Sequence, residues 1–179
     1  MPEPSDYLEE VGLLIESLES IGFKPILVGG MALVMLGSRR VTRDFDFLVS
    51  EPEERLDQVI SAFYERGLEL ASRLNKNGEV TATIDNPKVA AIRLRLDKPS
   101  SAYFYHPKTG LRVDLLFDFP LVATELATRA RKMKVRSYSF RVASEDDLIR
   151  LKEIAKSERS SPGDAEDLAF LKARRKGSK

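Results

Sequence analysis

The stretch "ILVGGMALVMLGSRRVTRDFDFLVS", residues 26–50, decides how this chain is read. It passes from a short apolar segment through paired glycines, an apolar helical turn and a basic patch to two aspartates that flank one phenylalanine. In an extended chain residues i and i+2 project to the same face, so Asp44 and Asp46 present their carboxylates side by side. Like charges held that close raise each other's energy unless something positive sits between them. Carboxylate oxygens of this kind suit a hard cation such as Mg²⁺, which also takes substrate phosphates as ligands. A D-x-D pair also occurs on ordinary surface strands, so the pair needs company.

Working outward, "KPILV" (24–28) reads as a buried strand, and Gly29-Gly30 turn it into a helix that Gly37 stops. Backbone N–H groups at such a strand-to-helix turn can approach phosphate oxygens, although a tight turn alone also asks for glycine. Upstream, Tyr7, Leu8, Val11, Leu14, Ile15 and Leu18 recur at three and four, which predicts a helix over 6–20. Downstream, Pro52 opens a helix to about Arg66, and strands are predicted over 68–74, 89–96, 101–105 and 111–117. Asn77-Gly78 and Asn86-Pro87 punctuate the middle. A helix over about 120–131, a basic strand-like stretch over 134–142 and two closing helices complete the pattern. Both closing helices carry start signals, Ser144 with Asp147 and Ser161-Pro162 with Asp164. The order is mixed α and β: a β-sheet flanked by helices over 1–142, with a helical extension over 143–179 packed on it.

With 179 residues, 42% of them hydrophobic, the chain can bury one core. Its net charge of +1 gives no global case for nucleic acid or membrane, so any such case is local. The absence of cysteine excludes disulfides, iron–sulfur clusters and thiolate zinc sites, and fits a reducing cytoplasm. The start "MPEPSDYLEE" lacks a basic and apolar leader, and no apolar run approaches the roughly 20 residues of a spanning helix. The expected location is the cytoplasm. One imidazole, His106, leaves chemistry to carboxylates, lysines or a metal held by oxygen, and it reads as a surface residue beside Pro107.

A third carboxylate, Asp114 in "LRVDLLFDF", lies mid-strand among apolar residues, an expensive place for an unpartnered charge. Asp118 shares its face but sits four residues on, about 13 Å along a strand, so both cannot serve one ion site. Asp114 is the better candidate.

"VGG", a thirteen-residue gap, "DFD" and a later apolar-Asp-apolar strand resemble the DNA polymerase β-like nucleotidyltransferase superfamily. "RRVTRDFDFLV", "SEDDLIRLKEIAK" and "SPGDAEDLAFL" are similar to the blocks of its AbiEii-like toxin branch, so the resemblance covers about residues 26–171. It implies a nucleotidyltransferase-like fold and an enzyme that moves NMP from an NTP to an acceptor hydroxyl, with Mg²⁺ or Mn²⁺ as cofactor. Asp44, Asp46 and Asp114 are then the metal ligands, and Gly29, Gly30 and Arg43 contact the nucleotide. Lys152 matches the family's active-site lysine and Asp164 its C-terminal acid, with Asp167 beside it, whereas Gly163 stands where the family has lysine. The acceptor is implied to be tRNA or other RNA, a protein or a small molecule, and a toxin-like role implies an antitoxin partner. A catalytically degenerate relative that binds nucleotide or a partner without turnover is the alternative.

The residues themselves leave several roles open. Lys152 falls within the apolar arc of its helix, so it either snorkels or reaches a buried anionic site. Asp164 is equally explained as a first-turn acid favoured by the helix dipole. Arg39, Arg40 and Arg43 either neutralise triphosphate or form a solvated loop. The segment 129–141, "RARKMKVRSYSFR", holds six basic residues and no acid, which suits a nucleic-acid backbone. Its Tyr138, Phe140 and Val142 alternate equally well as the inner face of a strand.

Overall fold

The computed structural model describes residues 4–39, 41–158 and 163–177. Arg40 and the Ser161-Pro162 start signal lie outside the described residues. One eight-stranded mixed sheet runs through the chain in the order β4-β3-β5-β6-β2-β1-β8-β7. The strands are β1 (Ile26–Val28), β2 (Asp44–Val49), β3 (Glu69–Leu74), β4 (Val80–Ile84), β5 (Ser101–Tyr105), β6 (Arg112–Phe117), β7 (Arg131–Val135) and β8 (Tyr138–Val142). The helices are α1 (Pro4–Ser20), α2 (Gly29–Met35), α3 (Leu56–Tyr64), α4 (Pro87–Asp97), α5 (Ala123–Arg129), α6 (Glu145–Glu158) and α7 (Asp164–Gly177).

Strand alternation divides the central strands into two kinds of row. Ala102, Leu115, Phe47, Leu27 and Val142 form one row across five strands, and all are buried. Phe104, Val113 and Phe45 form the next row on that face, and α3 covers it by stacking Phe63 on Phe104 with ring centroids 3.8 Å apart. Burying an aromatic side chain contributes roughly 1.5–3 kcal/mol, so this face holds the sheet in its register. The opposite face of β2 and β6 carries the acids.

Three expectations are corrected. Residues 89–96 form α4, a helix: Ile92, Leu94 and Leu96 mimic a strand period, but Asn86 and Pro87 act as a helix start. Asn86 Oδ1 accepts from the N–H groups of Lys88 and Val89 at 2.9 and 3.3 Å, and Pro87 takes the first turn, where no N–H is needed. The Asn77-Gly78 turn opens into a strand the sequence reading omitted, β4, which makes β3–β4 a hairpin. The basic segment is likewise a hairpin, β7–β8, turned at Arg136 with φ 58, and α5 ends at Arg129 to admit it.

Candidate active site

Register places the acids. Tyr103, Asp114, Asp46 and Val28 lie on one rung across β5, β6, β2 and β1, and Tyr105, Arg112 and Asp44 lie on the next rung outward. Paired residues share a face, so Asp46 and Asp114 meet although 68 positions separate them in sequence. β2 and β6 run parallel, which requires a long crossover between them; α3, β3, β4, α4 and β5 supply it.

Gly29 sits directly beside this pair. Its φ is +69, and a Cβ there would collide with the Asp46 carboxylate, so two independent constraints select glycine. Gly30 is buried in the first turn of α2, whose N-cap residue Val28 offers no side-chain hydrogen bond to the free N–H groups.

The electrostatics show what the pair lacks. Asp46 is half-buried, and its carboxyl is pushed up from 3.8 to about 7. Burial is the main cause, followed by the charge and hydrogen bond of Asp114 and then the charge of Asp44. Asp114 is buried and also raised, although Arg112 and the hydrogen bond from Asp46 act to lower it. Burial and the neighbouring carboxylates thus disfavour the charged form of Asp46, and burial disfavours that of Asp114.

Sequence reasoning missed Arg112. Its Nε donates to Asp114 Oδ1 at 2.9 Å and its Nη1 to the Gly78 carbonyl at 2.6 Å, while the guanidinium lies 4.8 Å from the centre of the Tyr103 ring. Burial opposes the Arg112 charge, yet the hydrogen bond and charge of Asp114 outweigh it and hold the guanidinium protonated more firmly than usual. The signal was an arginine two positions before Asp114 on the same face, the positive group two close acids require.

Among the described residues no group of three acidic, imidazole or thiol side chains converges tightly enough to hold a metal ion. Asp46 and Asp114 supply a hard-oxygen donor pair on one rung, and exposed Asp44 lies one rung away. That donor chemistry fits Mg²⁺ or Mn²⁺. Arg43 is exposed in the approach to β2. Asp118 is occupied elsewhere: its carboxylate accepts from the N–H groups of Ala123 at 2.8 Å and Glu51 at 3.2 Å, with its own φ at 47.

Lys152 reaches a buried anionic site formed by its own chain. Its Nζ lies 2.9 Å from Asp167 Oδ2 and 3.5 Å from Asp164 Oδ1, joining α6 to α7. The Ser144 start signal is half a capping box: Ser144 Oγ accepts from Asp147 N at 3.1 Å, but the Asp147 side chain turns to Arg129 and Arg150. In the basic segment 129–141, Arg129 at the end of α5 pairs with Asp147, and Arg131 and Arg141 of the hairpin pair with Glu145 and Glu19. Phe140 and Val142 are buried, so they pack the core rather than stack on bases. His106 Nδ1 accepts from the N–H groups of Lys108 and Thr109, both at 3.2 Å, and shapes the β5–β6 turn.

No protein-family model matches the sequence, and no curated protein does. Solved structures do resemble the fold. An antigenic nucleotidyltransferase-like protein from Paracoccidioides brasiliensis has a TM-score of 0.59 at 15% identity, covering 93% of this chain and 76% of its own. The antibiotic-resistance factor ANT(2'')-Ia gives 0.58 at 10% identity, covering 94% and 84%. The lincosamide antibiotic adenylyltransferase LnuA, bound to lincomycin, gives 0.55 at 14% identity, covering 92% and 95%. The fold is nucleotidyltransferase-like. Among the described residues no helix is long and apolar enough to cross a membrane.

Proposed function

We propose that this chain is a metal-dependent nucleotidyltransferase that moves NMP from an NTP to an acceptor hydroxyl with release of pyrophosphate. The observation that carries the reading is the rung that pairs Asp46 with Asp114 beside Gly29. Asp44, Asp46 and Asp114 would hold Mg²⁺ or Mn²⁺, which when bound would offset charge on the phosphates and lower the pKa of the acceptor hydroxyl. Gly29-Gly30 and Arg43 steady the phosphates. Asp114 orients the acceptor hydroxyl and receives its proton. The acceptor oxygen bonds to the α-phosphorus, the bond from that phosphorus to the bridging oxygen breaks, and pyrophosphate leaves with the electron pair.

Lys152 enters as a phosphate contact on α6, and its ion pairs with Asp164 and Asp167 anchor α7. Acceptors of this chemistry are hydroxyls of tRNA or other RNA, of protein or of small molecules. The burial of Phe140 and the half-burial of Tyr138 weigh against base stacking on the basic segment, while the antibiotic adenylyltransferase among the neighbours supports a small molecule. The AbiEii-like blocks add a toxin-like role with an antitoxin partner and a cytoplasmic location to the proposal.

The test is incubation with each labelled NTP, Mg²⁺ and cell extract. Label transfer and pyrophosphate release are expected, and Asp44→Ala with Asp46→Ala abolishes both; unchanged transfer in that variant sinks the reading. A second reading, nucleotide binding without turnover, is favoured by the lack of a ready three-ligand site among the described residues. It predicts Mg²⁺-dependent NTP binding with no pyrophosphate released.

A further inference from the structure

A cavity of about 340 Å³ opens on the β5 side of the acids. Asp44, Arg112 and Tyr105, one rung of the sheet, line it together with Gly78 and Glu79 of the β3–β4 turn. That turn is built by Asn75, whose Oδ1 accepts from the N–H groups of Asn77 and Glu79 at 2.9 and 3.0 Å. Arg112 then fastens the turn to the acids through Gly78 O and Asp114.

The position of the cavity follows the geometry of phosphoryl substitution, in which attacking and leaving oxygens lie on opposite sides of phosphorus. Gly29 follows β1, the acids lie on β2 and β6, and Tyr105 lies on β5. At about 4.8 Å between neighbouring strands, β5 stands about 14 Å from β1. With the leaving phosphates at the glycine turn, the nucleophile enters from the β5 side, where the cavity is.

The charges in the cavity indicate what enters. Arg112 is matched by Asp114, and Asp44 belongs to the proposed metal site. Glu79 accepts at 3.0 Å from the neutral Asn75 amide and, among the described residues, pairs with no cationic side chain. A carboxylate and a tyrosine ring in one cavity favour a cationic group, and a phosphodiester chain would set its charges against Glu79. The volume lies at the small-ligand end of the range of binding sites.

We propose that this cavity is the acceptor site and that it takes a small, cationic, hydroxyl-bearing molecule, with Glu79 as a specificity residue. The proposal rests on the nucleotidyltransferase reading, and the acceptor oxygen makes the new bond to phosphorus as described above.

The probes are the β-1,4-linked glucosamine dimer and cellobiose, which match in shape and differ in two ammonium groups. They are titrated into the full ¹⁵N-labelled chain without nucleotide. The expected result is that the amine dimer moves the amide signals of Gly78, Glu79 and Gly110 and binds tighter than cellobiose. Glu79→Gln weakens the amine dimer by about five-fold, the range of an exposed ion pair, and Glu79→Lys removes the preference. No shifts at the turn, equal affinities, an unaffected Glu79→Gln variant, or an RNA stem-loop that moves these signals more strongly overturns the proposal. A separate Mg²⁺–ATP titration reads Gly29 and Gly30. Its failure sinks the nucleotidyltransferase reading, whereas loss of amine selectivity alone sinks only the acceptor assignment.

Discussion

Asp46→Asn should stabilise the metal-free protein and erase part of its pH dependence. The Asp46 carboxyl lies at 3.8 unfolded and at about 7 folded. At about 1.4 kcal/mol per pH unit, that difference is on the order of 4 kcal/mol. The sign follows from proton counting: between these two values the folded chain keeps a proton that the unfolded chain has lost. Stability is therefore greatest below the unfolded value, falls as pH rises through the window, and levels off above about 7. Asparagine has no charge to desolvate and can still hydrogen-bond Asp114. The variant should gain a few kcal/mol, on the order of that difference, at pH 8 and gain little below pH 4. Urea denaturation with EDTA across this range measures the effect. Adding Mg²⁺ at pH 8 should raise the stability of the wild type far more than that of the variant, because binding to the folded state alone stabilises it. Parallel pH profiles for the two proteins would refute the assignment of a destabilising buried charge to Asp46.

Arg112→Ala removes the partner of a largely buried acid and should cost about 3 kcal/mol in urea denaturation; Arg112→Lys should not restore it, because one ammonium cannot reproduce two divergent N–H bonds. Gly29→Ala forces a left-handed conformation that costs about 1–2 kcal/mol and displaces the Asp46 carboxylate, so Mg²⁺-dependent ATP binding should disappear in calorimetry even where the fold survives. Lys152→Met removes the ammonium that lies between Asp164 and Asp167 and should lower the melting temperature. Adding Asp164→Asn and Asp167→Asn should recover much of that loss, and ATP affinity that also recovers would argue against a phosphate contact by Lys152.

The parts of the site written in short-range pattern were legible. Asp44 and Asp46 declared a shared face by their spacing, and Gly29-Gly30 declared a turn. The pairing of Asp46 with Asp114 follows from a crossover whose register no local pattern encodes, so the sequence yielded the candidates but not the rung. For Arg112 only half of its role was local: its spacing from Asp114 is written in the sequence, but its reach to Gly78, 34 positions away, is not. The strand predicted over 89–96 failed because Ile92, Leu94 and Leu96 alternate as in a strand, whereas Asn86-Pro87, read as punctuation, starts a helix. In space that apparent alternation is a helix burying Ala90, Ala91 and Leu94 while leaving Leu96 exposed. For Lys152 the sequence left snorkelling and a buried anionic site both open, because the acids it meets, Asp164 and Asp167, lie on α7 and cannot be seen from α6 alone.

Arg112 grips the β3–β4 turn by a main-chain oxygen, not by a side chain. A tether to the backbone is indifferent to which amino acids occupy the turn, so residues 76, 77 and 79 are free to change while the loop stays moored beside the acids. The hairpin is thus an exchangeable cassette: new turns of equal length can be grafted between β3 and β4 to retune what the cavity admits, leaving the three aspartates where β2 and β6 hold them.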